Sequence, residues 1–219
     1  MTIKAYVYDA YGTLFDVHSV AEKAESLYKG KGKEISEQWR KKQLEYFMLH
    51  QLTGNYKPFS EVTKNALLYT LKNLSLSCNE DDLHDLMNAY LELNVYEEVR
   101  ETLQTLKNKS KKQTIYSNGT YEMLKPLVEK RELDHLLDVL SVDDVKQYKP
   151  SPIAYKYALE TLGVDRNEVL FMSSNFWDIT GAASFGFRTA WINRAGLEVD
   201  ELGIKPDYIF HDLSEIVTV

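Results

Sequence analysis

The sequence predicts a doubly wound α/β domain, a parallel sheet with helices on both faces, interrupted near its start by an all-helical insertion. Three observations carry this. From Arg100 onward, short apolar runs rich in β-formers alternate with segments of helical length; a similar run opens the chain; and between them, from about Ser19 to Val95, apolar residues recur only at helical spacing. A chain of 219 residues accommodates one core carrying one insertion. A domain of this size buries roughly 70% of the surface its unfolded chain exposes, so it needs no disulfide or metal to hold together.

The elements follow in order. Ile3-Lys4-Ala5-Tyr6-Val7-Tyr8 reads as a buried strand that ends at Asp9, with Gly12 marking the turn behind it. Apolar stripes then run through Trp39, Leu44, Phe47 and Met48, through Val62, Leu67 and Leu71, and through Leu83, Leu86, Tyr90 and Leu93. Breaks at Gly30–Lys33, Gly54–Pro58 and Leu76–Asn79 divide this passage into about four helices, and it is far too long for an ordinary connection. A helix to Lys107 leads into a strand at residues 113–116, a helix from Thr120 and a strand at 139–141. Next come a helix from Pro152 to Leu162, a strand at 169–172, a helix after Asp178, and strands at 188–192 and 208–210. The expected core is residues 1–16 with 97–219, and the expected insertion is 17–96.

In such a sheet, functional groups collect at the C-terminal ends of the strands. The residues found there are Asp9, Ser117-Asn118, Lys149 shortly after a strand, and Ser173-Ser174-Asn175 ahead of Asp178. An aspartate at a strand tip is ionised near neutral pH, with a reference pKa of about 3.9, and can act as a nucleophile that forms an ester. A buried carboxylate that must stay charged requires a cation, and Lys149 is the candidate.

Composition removes several classes. Lys plus Arg number 26 against 33 Asp plus Glu, a net charge of −7 that opposes nucleic acid or an anionic membrane as partner. No apolar stretch approaches the roughly 18 residues of a membrane span. Cys78 is the only cysteine, so no internal disulfide forms, and the first residues lack the pattern of a secretory leader; the expected compartment is reducing and cytoplasmic. The five histidines, His18, His50, His84, His135 and His211, show no metal-ligand spacing, and Ser117 lacks a Gly-x-Ser-x-Gly context.

Four elements in this order, Asp9-Ala10-Tyr11-Gly12-Thr13, Ser117-Asn118-Gly119, Lys149-Pro150 and Ser173-Ser174-Asn175-Phe176-Trp177-Asp178, resemble the motifs of the haloacid dehalogenase superfamily. Within it, Asp9 to Asp16, Trp39-Arg40 ahead of Lys42-Gln43-Leu44-Glu45-Tyr46, and Trp191-Ile192-Asn193-Arg194 look like an L-2-haloacid dehalogenase. The resemblance implies a Rossmann-like core, with the helical insertion as its cap. Phosphatases of the superfamily place a second aspartate two residues after the nucleophile to protonate the leaving alkoxide; here that position is Tyr11. A departing halide needs no proton, so the difference suits carbon–halogen cleavage. Ser174 likewise stands where the phosphatases carry one carboxylate of their Mg²⁺ site, and the expectation is therefore no metal and no cofactor.

What the resemblance implies for each residue is specific. Asp9 attacks C2 of a short L-2-haloalkanoate to give an ester, and water then attacks the acyl carbon of Asp9, so the product is the D-2-hydroxy acid. Ser117, Lys149 and main-chain N–H groups after Asp9, at Ala10 and Tyr11, hold the substrate carboxylate and steer the nucleophile, while Arg40 and Asn118 cradle the halide. Asn175 and Asp178 position the hydrolytic water, or Asp178 instead orients Lys149, with Thr13, Ser173 and Tyr155 in support. Tyr11, Leu44, Phe59 and Trp177 form an apolar wall. A small 2-haloacid is the implied ligand and a homodimer built partly through the insertion the implied assembly. A Mg²⁺-dependent phosphatase and a catalytically silent anion-binding protein are the alternatives.

Overall fold

The structure is a computed structural model that describes residues 2–219. Its centre is a strand with no polar exposure to satisfy: β1 (Ala5–Tyr8) is buried on both faces and pairs in parallel with β4 (Lys112–Ser117) on one side and β6 (Val169–Ser173) on the other. The sheet continues outward through β5 (Asp138–Ser141) beside β4, and through β7 (Arg188–Ile192) and β8 (Tyr208–Phe210) beside β6, all parallel. Near-continuous apolar runs such as Ala5-Tyr6-Val7-Tyr8 are what a strand covered on both faces requires. Helices α5 (Val99–Asn108), α6 (Tyr121–Lys130), α7 (Pro152–Leu162) and α8 (Phe176–Phe185) make the crossovers.

The chain runs from β1 toward β4 on one side and from β6 toward β7 on the other, so the connections diverge between β1 and β6. A crevice opens at such a switch point, beyond the carboxyl ends of the strands. Register sets Tyr8 opposite both Ile115 and Met172, which brings the residues that follow each strand to one edge.

The insertion holds α1 (Val20–Leu27), α2 (Gly32–Leu52), α3 (Phe59–Asn73) and α4 (Glu80–Ala89), in agreement with the apolar stripes. Helix α2 begins inside the expected break because α1 passes so close that a Cβ on Gly32 would lie 2.4 Å from the Ala21 carbonyl oxygen; only glycine fits there. Unforeseen in the sequence is a short antiparallel pair, β2 (Phe15–Asp16) with β3 (Asn94–Val95), which ties together the two places where the chain crosses into and out of the insertion. Strands this short leave no periodic signal. Helix α8 also starts earlier than expected: it begins at Phe176, so Asp178 sits in its first turn instead of ahead of it. Among the described residues no helix is long and apolar enough to cross a membrane.

Candidate active site

Asp9 caps β1 in register, its N–H donating to the Met172 carbonyl at 2.8 Å. The chain then reverses sharply. The Ala10 carbonyl accepts from the N–H groups of Thr13, Leu14 and Phe15 at 3.3, 3.0 and 3.0 Å, and Gly12 supplies the positive φ of 87° that the turn needs. This turn swings Thr13 back over Asp9, where its hydroxyl lies 3.4 Å from Oδ2.

The Asp9 carboxylate is only 4% exposed and is held on both oxygens. Lys149 Nζ donates to Oδ1 at 3.0 Å; Asn175 Nδ2 donates to Oδ2 at 2.8 Å, and the Ser173 hydroxyl lies 3.4 Å from the same oxygen. Lys149 is fully buried and spends its other two protons on Asp178 Oδ2 at 2.6 Å and the Tyr116 carbonyl at 2.9 Å. An ammonium has three donors and all are committed. Lys149 was expected both to hold the substrate carboxylate and to steer Asp9; the contacts present here are to Asp9, Asp178 and the Tyr116 carbonyl. Asn118 is committed similarly, accepting from the Lys149 main-chain N–H at 2.9 Å and donating to its carbonyl at 3.2 Å, which fixes the lysine main chain and leaves one amide proton uncommitted.

Electrostatics follow from one cation serving two carboxylates. Burial works against the charge of Lys149, but Asp178 and Asp9 outweigh it and hold the ammonium pKa above its ordinary value. Burial pushes Asp178 up to about 6, with Lys149 opposing and the Asp9 charge adding to the rise. Tyr155, held protonated by burial, donates its hydroxyl to Asp178 Oδ1 at 2.7 Å, with the Asp178 carbonyl also within reach at 3.0 Å. Asp178 is thus fully buried, with one oxygen on Lys149 and the other on Tyr155.

The insertion contributes the opposite wall. Arg40 reaches across from α2, donating Nη2 to Asn175 Oδ1 at 3.4 Å and Nη1 to Gln43 Oε1 at 2.7 Å. A cleft of about 410 Å³ opens beside it, bounded by Arg40 and Leu44 from the insertion and by Gly12, Ser174, Asn175 and Trp191 from the core. Behind lie Tyr11 and Phe59, ring centroids 5.8 Å apart, and Phe47 against Trp177 at 5.2 Å. Ser117 is fully buried at the tip of β4, its Oγ accepting from the Gly119 N–H at 3.1 Å.

The wall is less apolar than the sequence led one to expect. The Tyr11 hydroxyl and Trp177 Nε1 are both buried donors with no protein partner, and burial holds the Tyr11 hydroxyl protonated. Ser174 meets Thr13 through both its N–H, at 2.8 Å, and its hydroxyl, at 3.3 Å, and no group of acidic, His or Cys side chains able to hold a metal ion occurs among the described residues.

Sequence reasoning passed over the residues that brace this assembly. Gln43 and Tyr90 flank Arg40, and Gln51 of α2 accepts from the Tyr148 N–H at 2.6 Å beside Lys149. Arg194 donates to the Thr13 carbonyl at 2.9 Å and to Glu98 Oε1 at 2.6 Å, joining the nucleophile turn to the second crossing. Gln43 and Arg194 both belong to segments that carry the family resemblance, and Gln43 had a further signal, its position three residues after Arg40 on one helix face.

A strand-tip aspartate on a diverging parallel sheet, gripped by a buried lysine and faced by a helical insertion, defines a class. The family model of haloacid dehalogenase-like hydrolases matches residues 3–186, and the chain belongs to that family. Among its members the chain is 44% identical to haloacetate dehalogenase H-2 of Moraxella sp. (strain B), over 98% of its own length and 96% of the relative's. It is 43% identical to the (S)-2-haloacid dehalogenase of Pseudomonas sp. (strain YL), over 98% and 93%. The fold superposes with a TM-score of 0.91 at 37% identity on L-2-haloacid dehalogenase from Xanthobacter autotrophicus with chloropropionic acid covalently bound, covering 98% of this chain and 97% of that one.

Proposed function

We propose that the protein is an (S)-2-haloacid dehalogenase, converting short L-2-haloalkanoic acids to D-2-hydroxy acids through an ester on Asp9. The observation that carries the reading is the setting of Asp9: a carboxylate fixed by Lys149 and Asn175, faced by the Arg40 cation, with a phenol where proton-donating hydrolases need an acid. An Asp9 oxygen displaces halide from C2, and the bond electrons leave with the halide toward Arg40 and the free amide proton of Asn118. Water then adds to the Asp9 acyl carbon and the bond from that carbon to the ester oxygen breaks while the C2–oxygen bond stays intact; one water proton goes to the product hydroxyl and the other to solvent, leaving Asp9 a carboxylate again. One inversion at C2 results.

Two anions must meet in the first step, which only preorganised positive charge and donors permit. Lys149 supplies the charge for Asp9 and Arg40 that for the substrate, with Ser117 and the N–H groups of Ala10 and Tyr11 as donors for its carboxylate. Because Ser174, bound to Thr13 through both its N–H and its hydroxyl, stands where a second hard carboxylate would be needed, we read the reaction as metal-independent. Residues 17–96 act as a cap that closes the crevice, and exposed Leu49, Leu52, Leu68 and Tyr69 on α2 and α3 are the surface through which two copies would pair. The lone Cys78 fits a cytoplasmic protein.

The experiment is halide release from L- and D-2-chloropropionate by purified protein in EDTA, with p-nitrophenyl phosphate plus Mg²⁺ in parallel. Release from the L enantiomer alone, undiminished by EDTA, is expected. Phosphate release without dehalogenation would instead establish the phosphatase reading.

A further inference from the structure

Arg40 enters the site in the company of neutral oxygens. It donates to Gln43 Oε1 at 2.7 Å and to Asn175 Oδ1 at 3.4 Å, and it forms no ion pair among the described residues. Gln43 is fully buried. Donor counting fixes which end of its amide faces Arg40. A guanidinium can only donate, and the Tyr90 hydroxyl, kept protonated by burial, donates to the same oxygen at 3.1 Å. The amide nitrogen is thereby turned to Thr63, donating to Oγ1 at 2.7 Å, and the Thr63 hydroxyl places its own proton on the Phe59 carbonyl at 2.7 Å. From Arg40 the line continues through Asn175 to Asp9 Oδ2. A single hydrogen-bonded chain thus joins α3 to the nucleophile.

The usual buried acceptor for an arginine is a carboxylate, whose charge compensates the guanidinium. Here the acceptor is isosteric with glutamate but uncharged. We infer that Gln43 is a positioning residue that aims Arg40 while leaving its positive charge uncompensated for the anionic substrate and the departing halide. For its ligands this rests on the dehalogenase reading.

The test compares wild type with Gln43→Glu, Gln43→Met and Thr63→Val, using bromide binding read from the bromide dependence of the melting temperature at constant ionic strength, together with kcat and KM for L-2-chloropropionate. Gln43→Glu puts a carboxylate on Arg40: bromide affinity falls by about tenfold or more and KM rises in step, in keeping with the size of close charge-pair effects. Gln43→Met breaks all three hydrogen bonds but leaves the charge; bromide affinity stays within about threefold of wild type and the loss falls on kcat. A Gln43 that merely braced the helices gives the reverse order, Met worse than Glu, because only Met removes every polar contact.

That reverse order, equal binding in the two variants, or a wild-type melting temperature that ignores bromide overturns the inference. Should Gln43→Glu fail to fold, Thr63→Val decides: it removes the acceptor that anchors the amide nitrogen but leaves Arg40 uncompensated, so kcat falls several-fold with bromide affinity within about threefold of wild type, whereas unchanged kcat or a larger loss of bromide affinity overturns the proposal. The two readings separate cleanly. Wild type that binds bromide with the expected variant order but releases no halide sinks the dehalogenase reading alone; wild type that turns over with the order reversed sinks only the role of Gln43.

Discussion

The two sides of the site are built on different electrostatic plans. On the sheet side charge is dense and compensated: Lys149, Asp9 and Asp178 are all buried within 3.0 Å of one another's charged atoms along two ion pairs. On the helical side a single cation, Arg40, stands among amide oxygens and aromatic rings. The difference is instructive because burying an unpaired charge is far costlier than burying a paired one. Under the proposed function the difference has a reason: Asp9, as nucleophile, has to be ionised and dry at once, so its lysine is fixed, whereas Arg40, as recognition charge, has to remain available for an anion that comes and goes, so it is half-buried and partnered by neutral groups.

That contrast puts the largest effects on the sheet side. Asp9→Asn should lower multiple-turnover halide release by at least about 10⁴-fold, the scale on which removing a nucleophile acts when its helpers remain. Stability should change little or rise, since Lys149 still has Asp178 and an excess negative charge has gone. Halide assays and urea unfolding on the same preparation check both halves. Substantial residual turnover would move the chemistry off Asp9, and a large loss of stability would mean that Asp9, not Asp178, is the main counter-charge of Lys149.

The next effect down is set by pH. Asp178 is raised by burial from an ordinary 3.8 to about 6. As pH falls through 6, its protonation releases Lys149 from its shorter ion pair, so kcat/KM should decline on a one-proton acid limb near that value. Stability moves the other way. Between about 6 and 3.8 the folded protein binds a proton that the unfolded chain does not, so this group adds stability as pH drops, up to roughly 2–3 kcal/mol by linkage. Asp178→Asn should lose about ten- to a hundredfold in kcat at neutral pH and lose the acid limb with it, while its melting temperature responds less to pH between 7 and 5 than that of wild type. A wild-type profile flat from pH 7.5 to 5 would show that Lys149 keeps Asp178 ionised, and the sheet-side network would then be a fixed ion pair with no titrating member.

How far the sequence disclosed all this depends on which physical signal each feature leaves. β1 and β6 announce themselves as unbroken apolar runs, and the four helices of the insertion through apolar residues that repeat at helical period. Asp9 at a strand end and Asn175 at a helix start stand where chemistry collects, and the ordered motifs single out Lys149 in the loop ahead of α7. What stayed hidden depends on contact instead. That Lys149 has no spare proton, that Asn118 is bound to the lysine main chain, and that Gln43 backs Arg40 are facts about who touches whom across segments distant in sequence. The β2–β3 pair is hidden for a different reason, being too short to show a period at all.

The smallest effect sharpens the helical side. Tyr11 was expected to be an apolar wall, yet its hydroxyl is a buried donor without a protein partner, 2.9 Å from where a Cβ on Gly119 would sit. An unsatisfied buried donor typically costs 1–3 kcal/mol, and removing it should return part of that. Tyr11→Phe should therefore raise stability by about 1 kcal/mol in urea unfolding, the ring contacts with Phe59 and Tyr90 being kept. If the hydroxyl is orphaned because it waits for an anionic ligand, the same variant should raise KM for L-2-chloropropionate several-fold with kcat nearly unchanged, a loss on the scale of one neutral hydrogen bond. Stability gained and affinity lost together would place Tyr11 beside Arg40 as a recognition group held ready at some expense to the fold; stability gained with KM unchanged would return it to the apolar wall and leave recognition on the helical side to Arg40 and its neutral partner.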